Sequence, residues 1–593
     1  MKTIRTLLIG GGFVTLLVVA LVGPTGVTGD GPLRTFVPLG QVQGASGSPA
    51  APTRTRTATP PSGSTVTATP SATATTPAGP SATPTRTSTV TATPTESALG
   101  ICAPLVVNPG ALVAGAVTDQ YLWYDASCRR RSASLVRSDP KGGNATQFTY
   151  RLADGTVRTV GASGEPNAAG FGYVVSHLYD ASLANNNGDD DSPLGSSLKN
   201  GFRSVFSGTN HAIHEFTLDY PRWGVDPVTL QTVKYSMPVT IHWMFATGRS
   251  YPLWAVTFDL SAAPANAIRA DTRAPYGDMN FDGAPAGTFG DELGGVGWGD
   301  SHRFKSTSVP FTLNSAWTWA LTNAFAPYNA IWTRNTDAEM GIAGTRVIAR
   351  QDAGGYEGAN GRGSQSGAGK GCPPGEGDDY LMPCDWEWSY QSVNYSFYND
   401  QGQLQKDSPT GSKRLAWGAD WGSLGQQSFT SINGNTVIGW PKVSYSVYIV
   451  LDPHNLGVDG PTVLAASEAQ AINGTTLTAS VGTVATNGPA GPGRTDTVTY
   501  APAGYNHVYG TWEAIAASNR ATLSFAVGAL QITNPVVVLR NYTGAANPPT
   551  VTLNGATLAP NVDYFSSLRP GSQELWITIK RSMTGNNSLV IAN

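Results

Sequence analysis

Apolar and polar residues alternate with a period of two through the middle of this chain, a pattern that only an extended strand can place on two faces. Val239, Ile241, Trp243 and Phe245 fall on one side, and Thr240, His242 and Met244 on the other. The runs AIHEFTLDY and YPLWAVTFDLS lie either side of VKYSMPVTIHWMFA, and PRWGVDPVTLQT and TGRS supply the turns between them. TRVIARQD, DWEWSYQSVNYSFY and VSYSVYIVLD are further strand candidates. Helical periodicity is almost missing, with ASEAQAI as a short exception at a candidate domain junction. The 69 glycines and 41 prolines fit many short strands joined by turns. The fold class expected is therefore all-β.

A chain of 593 residues exceeds one ordinary domain. Residues 101–461 read as a large antiparallel β-sandwich body rich in tryptophan, and residues 462–593 as a smaller C-terminal β-sandwich. Twelve of the fifteen tryptophans lie between Trp223 and Trp440, while the tail holds Trp512 and Trp576. In the tail, TLTASVG, TDTVTYAP, ATLSFAVG, PVVVLRNY, PTVTLNGATL and ELWITIKRS recur at the spacing of a sandwich.

The N-terminus gives the location. Lys2 and Arg5 precede an apolar run from Leu7 to Val22, and Val27 and Gly29 put small residues at a cleavage site, so residues 1–29 read as a signal peptide or a retained signal anchor. Any membrane association is expected through this segment alone. Residues 30–100 are dominated by Thr, Pro, Ser and Ala; such a stretch cannot bury enough apolar surface to offset its ordering entropy, and is expected to be a disordered, glycosylatable stalk. Four cysteines in an exported chain suggest two local disulfides, Cys102 with Cys128 and Cys372 with Cys384, although four cysteines allow three connectivities. The net charge of -3 and the 13% of charged residues argue against a nucleic-acid partner.

Chemistry is less legible. The loop GDMNFDGAPAGTFGDELGGVGWGD gathers five acidic residues among closely spaced glycines. Asp278, Asn280 and Asp282, followed by Gly283, match the first half of a calcium loop, in which oxygens at alternate positions converge on one hard cation. Phe289 stands where the closing glutamate belongs, and Asp291 and Glu292 follow it, so calcium competes with an Asx-capped turn as the reading. The same loop brings Trp298, Asp300 and His302 close together, and RNTDAEMGI adds Asp337 and Glu339 at strand spacing. A glycoside hydrolase needs one protonated and one ionised carboxyl group. Glu292 or Asp300 with Glu339 are the candidates, set against carboxylates at strand ends satisfied by backbone amides. Trp386 and Trp388 alternate with Glu387 and Ser389 and, with Trp298, could stack on sugar rings or fill the core. His211, His214, Glu215 and His242 offer a weak zinc set, because strand residues three apart point to opposite faces. An elimination reaction would instead use His242 or Tyr251 as base, with Arg249 neutralising a uronate.

In strand number and composition the body resembles the large β-sandwiches of several polysaccharide lyases, hydrolases and sugar epimerases. The expectation is an exported carbohydrate-active protein, a hydrolase or lyase, whose partner is an extracellular polysaccharide or cell-surface glycan. The alternative is a non-catalytic adhesion or structural protein carried on the stalk.

Overall fold

The computed structural model describes residues 7–9, 12–14 and 101–593, apart from residues 114, 138–143, 162–169, 179–201, 220–221, 227, 265–269, 279, 282–292, 300–304, 307–327, 334–337, 346, 348–384, 389–390, 395–413, 420–441, 455–459, 490–496 and 545–548. The expected stalk and the Cys372 and Cys384 pair lie outside the described residues. In the N-terminal unit, Leu7–Ile9 and Gly12–Val14 pair as a short antiparallel hairpin. Among the described residues no helix is long and apolar enough to cross a membrane.

The fold is all-β, as the alternation predicts. A nine-stranded antiparallel sheet runs in the order Lys305–Ser306, Leu293–Gly299, Tyr328–Thr333, Glu339–Gly344, Lys442–Asp452, Leu253–Asp259, Pro238–Ala246, His211–Asp219 and Phe202–Ser207. An eleven-stranded sheet faces it. Its main path runs Asp385–Trp388, Gln391–Asn394, Arg414–Ala419, Ala270–Asp278, Gly170–Leu178, Ala145–Arg151, Arg130–Val136, Ala116–Tyr124 and Val106–Val113, with Val157–Gly161 and Asn280–Phe281 branching from it. The sheets are aligned: Tyr328–Thr333 lies against Gln391–Asn394 at one end, and Pro238–Ala246 against Ala116–Tyr124 at the other.

Side-chain parity builds the inner layer. Phe245 stacks on Tyr121 with ring centroids 4.6 Å apart, and Trp243 packs against Phe148 at 5.7 Å. Trp243 and Trp254 are both 0% exposed. Gly172 is the matching concession in the facing sheet, since a Cβ there would overlap the Trp243 indole.

The opposite face of the nine-stranded sheet is covered as well, which an antiparallel sheet does not require. Met244, Leu253, Ala255, Tyr448 and Val450 join Val463, Ala466, Val508 and Trp576 in one hydrophobic cluster. The covering elements are a single helix, Pro461–Asn473, and a smaller sandwich made of a five-stranded and a six-stranded sheet between Thr476 and Ala592. Thr511–Ile515 and Val536–Arg540 form the one parallel pair among the described strands.

The helix begins as its sequence directs, with Pro461 in the first turn. Alanines at 465, 466, 469 and 471 let it lie close to the sheet, and it is buried almost all round. Its N-cap is Gly460, which has no side chain to satisfy the exposed amides. Glu339, reaching over from the sheet, takes that role: its Oε1 accepts the Thr462 N–H at 3.0 Å and the Thr462 hydroxyl. A Cβ on Gly460 would collide with that carboxylate.

Cys102 and Cys128 form a disulfide at the start of the body, packed against Tyr124 and Phe565. The described residues from Ile101 to Asn593 group into one compact unit.

Candidate functional site

Several buried ionisable groups are held in closed clusters. Arg131, on an inner strand of the eleven-stranded sheet, donates to the Leu451 carbonyl at 2.6 Å, to Asp452 at 2.8 Å and to Asp125 at 3.3 Å. Burial pulls its proton affinity down, yet the two carboxylates outweigh burial and raise it. Arg249 grips both oxygens of Glu468 on the helix, at 2.8 and 3.2 Å, and also donates to the Thr533 carbonyl. Three segments distant in sequence meet at that one guanidinium.

The histidines separate as strand parity requires. His211 turns to the C-terminal sandwich, where its ring nitrogens contact Ser567 Oγ and Thr578 Oγ1, each at 2.9 Å. Burial lowers its pKa to about 3, so the ring is neutral at physiological pH. His214 turns to the inner layer and shares a 2.9 Å hydrogen bond with the Tyr121 hydroxyl. Burial, opposed by the nearby Asp119, brings its pKa to about 4. His242 sits directly across from Glu215 and contacts its Oε2 at 3.1 Å. Burial pushes the Glu215 carboxyl up, but hydrogen bonds from His242 and Arg203 prevail and hold it at about 2. Among the described residues no group of three or more His, Cys, Asp and Glu has metal-binding geometry.

Of the three acid candidates, Glu339 is described, while Glu292 and Asp300 lie outside the described residues. Glu339 is 1% exposed. Its Oε2 contacts His454 Nδ1, its Oε1 caps the helix, and the His454 ring stacks on Trp332 with centroids 4.1 Å apart. Both carboxylate oxygens are thus committed to the fold. Of the cation candidates, Asp278 ends its strand opposite Arg414 and Gly170, Asn280 opens the next strand of the same sheet opposite Gly161, and Asp282 lies outside the described residues. Arg249 and Tyr251, the lyase candidates, flank the buried Glu468 cluster, where the guanidinium is already occupied.

The tryptophan candidates share one end of the molecule. Trp298 lies on Leu293–Gly299, next to the edge of the nine-stranded sheet and opposite Lys305 and Asn329. Trp386 and Trp388 lie on Asp385–Trp388, the edge strand of the eleven-stranded sheet. Because Tyr328–Thr333 lies against Gln391–Asn394, the two tryptophan-bearing strands flank the same lateral edge of the sandwich. They are 88 and 90 residues apart in sequence (386 - 298 and 388 - 298), and only the sheet order brings them together.

Sequence reasoning gave no role to Arg131, His454 or Glu468. Each takes its meaning from a partner at least 100 residues away, and no spacing rule reaches that far. The described strands form a stacked, all-β sandwich protein in which the strands bearing Trp298, Trp386 and Trp388 lie towards one lateral edge. No protein-family model matches the chain, and no curated protein gives a significant match.

Proposed function

We propose that this is an extracytoplasmic glycan-binding protein of the carbohydrate-active kind, held on its N-terminal stalk and engaging polysaccharide at the edge that carries Trp298, Trp386 and Trp388. One observation carries the reading: the strands that bear these tryptophans are far apart in sequence, and the sheet neighbours of each, Tyr328–Thr333 and Gln391–Asn394, lie against one another. Aromatic faces stack on the apolar faces of sugar rings, and a site built at a sheet edge is open to a long polymer. A hydrolytic rim would draw its acid and base from Glu292 and Asp300, with calcium at Asp278, Asn280 and Asp282 holding the loop in shape. The adhesion reading, in which recognition occurs without turnover, gains from Glu339, whose carboxylate caps a helix and contacts a histidine.

The test uses protein starting at Ile101, a panel of neutral and uronate-rich polysaccharides, and affinity electrophoresis alongside assays for new reducing ends and unsaturated products. Trp298→Ala and the Trp386→Ala/Trp388→Ala double variant should each weaken binding by about tenfold or more, the scale of one lost stacking contact. Retention of full affinity by both variants would refute the site. Product release that survives in Glu339→Gln but not in Glu292→Gln or Asp300→Asn would mark the protein as a hydrolase.

A further inference from the structure

Two strands of the nine-stranded sheet run on past their neighbours. His211–Asp219 and Pro238–Ala246 pair as far as Asp219 opposite Pro238. Three residues further along each strand the same register resumes, with Arg222 opposite Tyr235, Trp223 opposite Lys234, Gly224 opposite Val233 and Val225 opposite Thr232. The flanking strands stop earlier, at Phe202 and at Phe258, and among the described residues no third strand pairs with this extension. At about 3.4 Å per residue, the ribbon from Asp219 to Asp226 is about 24 Å long. It ends in a turn that carries Val228, 87% exposed, and Leu230, 77% exposed, the two most exposed large apolar side chains among the described residues. Val233, on the return strand, is exposed as well.

The turn closes its polar groups on itself. The Asp226 N–H donates to the Gln231 carbonyl and the Leu230 N–H to the Asp226 carbonyl, each at 2.9 Å. The N–H groups of Val228 and Thr229 donate to Asp226 Oδ1 at 2.9 and 2.7 Å, and that of Gln231 reaches Thr229 Oγ1 at 3.4 Å. Pro227 has no N–H, so every backbone donor from Asp226 to Gln231 has its acceptor inside the turn. The Thr229 hydroxyl donates to Asp226 Oδ1 at 3.0 Å and the Tyr235 hydroxyl to Oδ2 at 3.4 Å. Asp226, the one acidic residue from 226 to 235, is thereby drawn inward. Leu230 stands at a φ of +56°, uncommon for a bulky side chain, and persists there because the hydrogen bonds around it impose the shape. A turn in water needs no such closure, since water can satisfy its amides; lipid demands it.

We propose that this turn is a lipid-binding tip, which dips Val228 and Leu230 into the apolar layer of a bilayer while the ribbon behind it stays among the headgroups. The closed backbone fits that medium. So does the order of residues away from the tip: Val228 and Leu230 come first, then Val225 and Val233, then Trp223 opposite Lys234, and last Arg222 opposite Tyr235. Apolar residues thus give way to aromatic and cationic ones, the sequence of polarities that a membrane–water interface selects. Size favours lipid over a protein partner as well. A stable protein interface takes about 20 to 30 residues from each side, whereas the tip offers three exposed apolar side chains. A bilayer yields to a narrow tip and needs no matching groove. The tip and the tryptophan edge lie on different strands, and lipid binding is a function additional to glycan recognition.

The experiment uses protein starting at Ile101, because the apolar run from Leu7 to Val22 would itself enter lipid, and the described residues from Ile101 to Asn593 group into one compact unit. Probes are phosphatidylcholine vesicles and vesicles that also carry phosphatidylglycerol. Flotation is read at low salt and at about 1 M NaCl, where charge attraction is screened within about 3 Å. The wild-type protein should float with both kinds of vesicle at both salt levels. Val228→Ser/Leu230→Asn, in which asparagine still accepts the positive φ, should keep the thermal midpoint and partition about tenfold or more weakly. Val228→Phe, which enlarges the tip, should partition several-fold more strongly. Equal flotation of the wild type and the double variant would overturn the assignment, as would a wild type that floats with neither vesicle. Flotation confined to phosphatidylglycerol vesicles and lost in salt would overturn apolar insertion in favour of charge attraction. Self-association of the wild type without flotation, absent from the double variant, would give the tip to a second copy of this chain instead. Polysaccharide affinity should be unchanged in these variants, so the glycan reading stands or falls separately.

Discussion

Lowering the pH from about 7.5 to about 5 should loosen the fold through two buried histidines, whose unfolded-state value of 6.5 lies inside that window. His211 and His214 are each 1% exposed, and burial depresses their pKa values to about 3 and about 4, from 6.5. Depressed values mean that the unfolded chain takes up protons which the folded chain refuses. Stability is therefore complete above 6.5 and declines as the pH falls towards the folded values. Each unit below the unfolded value costs about 1.4 kcal/mol per histidine. At about pH 5 each ring then costs about 2 kcal/mol, and the pair about 4 kcal/mol, against a total stability of about 5 to 15 kcal/mol. Glu215, held at about 2 from 4.5, adds its own loss only as the pH falls below that upper value. Urea unfolding of the full chain at the two pH values reads the difference directly. In His211→Gln, whose amide can still meet Ser567 and Thr578, about half of the pH-dependent loss should disappear, whatever the variant does to stability at about pH 7.5. Unfolding free energies equal at both pH values, or an unchanged pH slope in His211→Gln, would refute the assignment of neutral, buried rings.

Three further outcomes follow from the same contacts. Glu339→Gln should cost about 1 to 3 kcal/mol in urea unfolding, because it weakens a charge-assisted helix cap and the contact to His454; unchanged stability would return Glu339 to the pool of free acids. Glu468→Gln leaves Arg249 buried without its countercharge and should cost about 3 to 5 kcal/mol, while the double variant Arg249→Met/Glu468→Leu should recover much of that loss in the same measurement. Cys128→Ser opens the bridge to Cys102, whose partners are 26 residues apart in sequence, and should cost about 3 kcal/mol, visible as a thermal midpoint that falls to that of the reduced wild-type chain.

The alternation in Val239 to Phe245 identified both the strand and its two faces, because the period is a local property and sheet packing uses it directly. The helix was legible only in part: ASEAQAI marks its second half, and its first half depends on a carboxylate that sits 123 residues earlier than the amide it caps. Read locally, Glu339 is an acid among strand residues; its partners Thr462 and His454 are supplied by tertiary structure. The same limit applies to Arg131 and Asp452, 321 positions apart. Parity did separate His211 from His214, since opposite-facing side chains need no knowledge of what they face. The alternation predicts a body with an inner face, but not that the outer face of the nine-stranded sheet is also covered. That depends on how the C-terminal sandwich is seated, and composition carries no trace of it.

The position of the Cys102–Cys128 bridge governs how a pull along the N-terminal chain is borne. The loop that it closes contains the edge strand Val106–Val113 and its partner Ala116–Tyr124. Tension arriving at Cys102 crosses the sulfur atoms to Cys128 and enters the sheet beside Arg130–Val136, an interior strand paired on both sides. The edge strand, which would otherwise be the first to peel, hangs in a covalent bypass and carries almost none of the load. A pull on the N-terminal chain would thus load the body where its hydrogen-bond ladders are deepest, and it would fail there, as a block, rather than by unzipping from the rim.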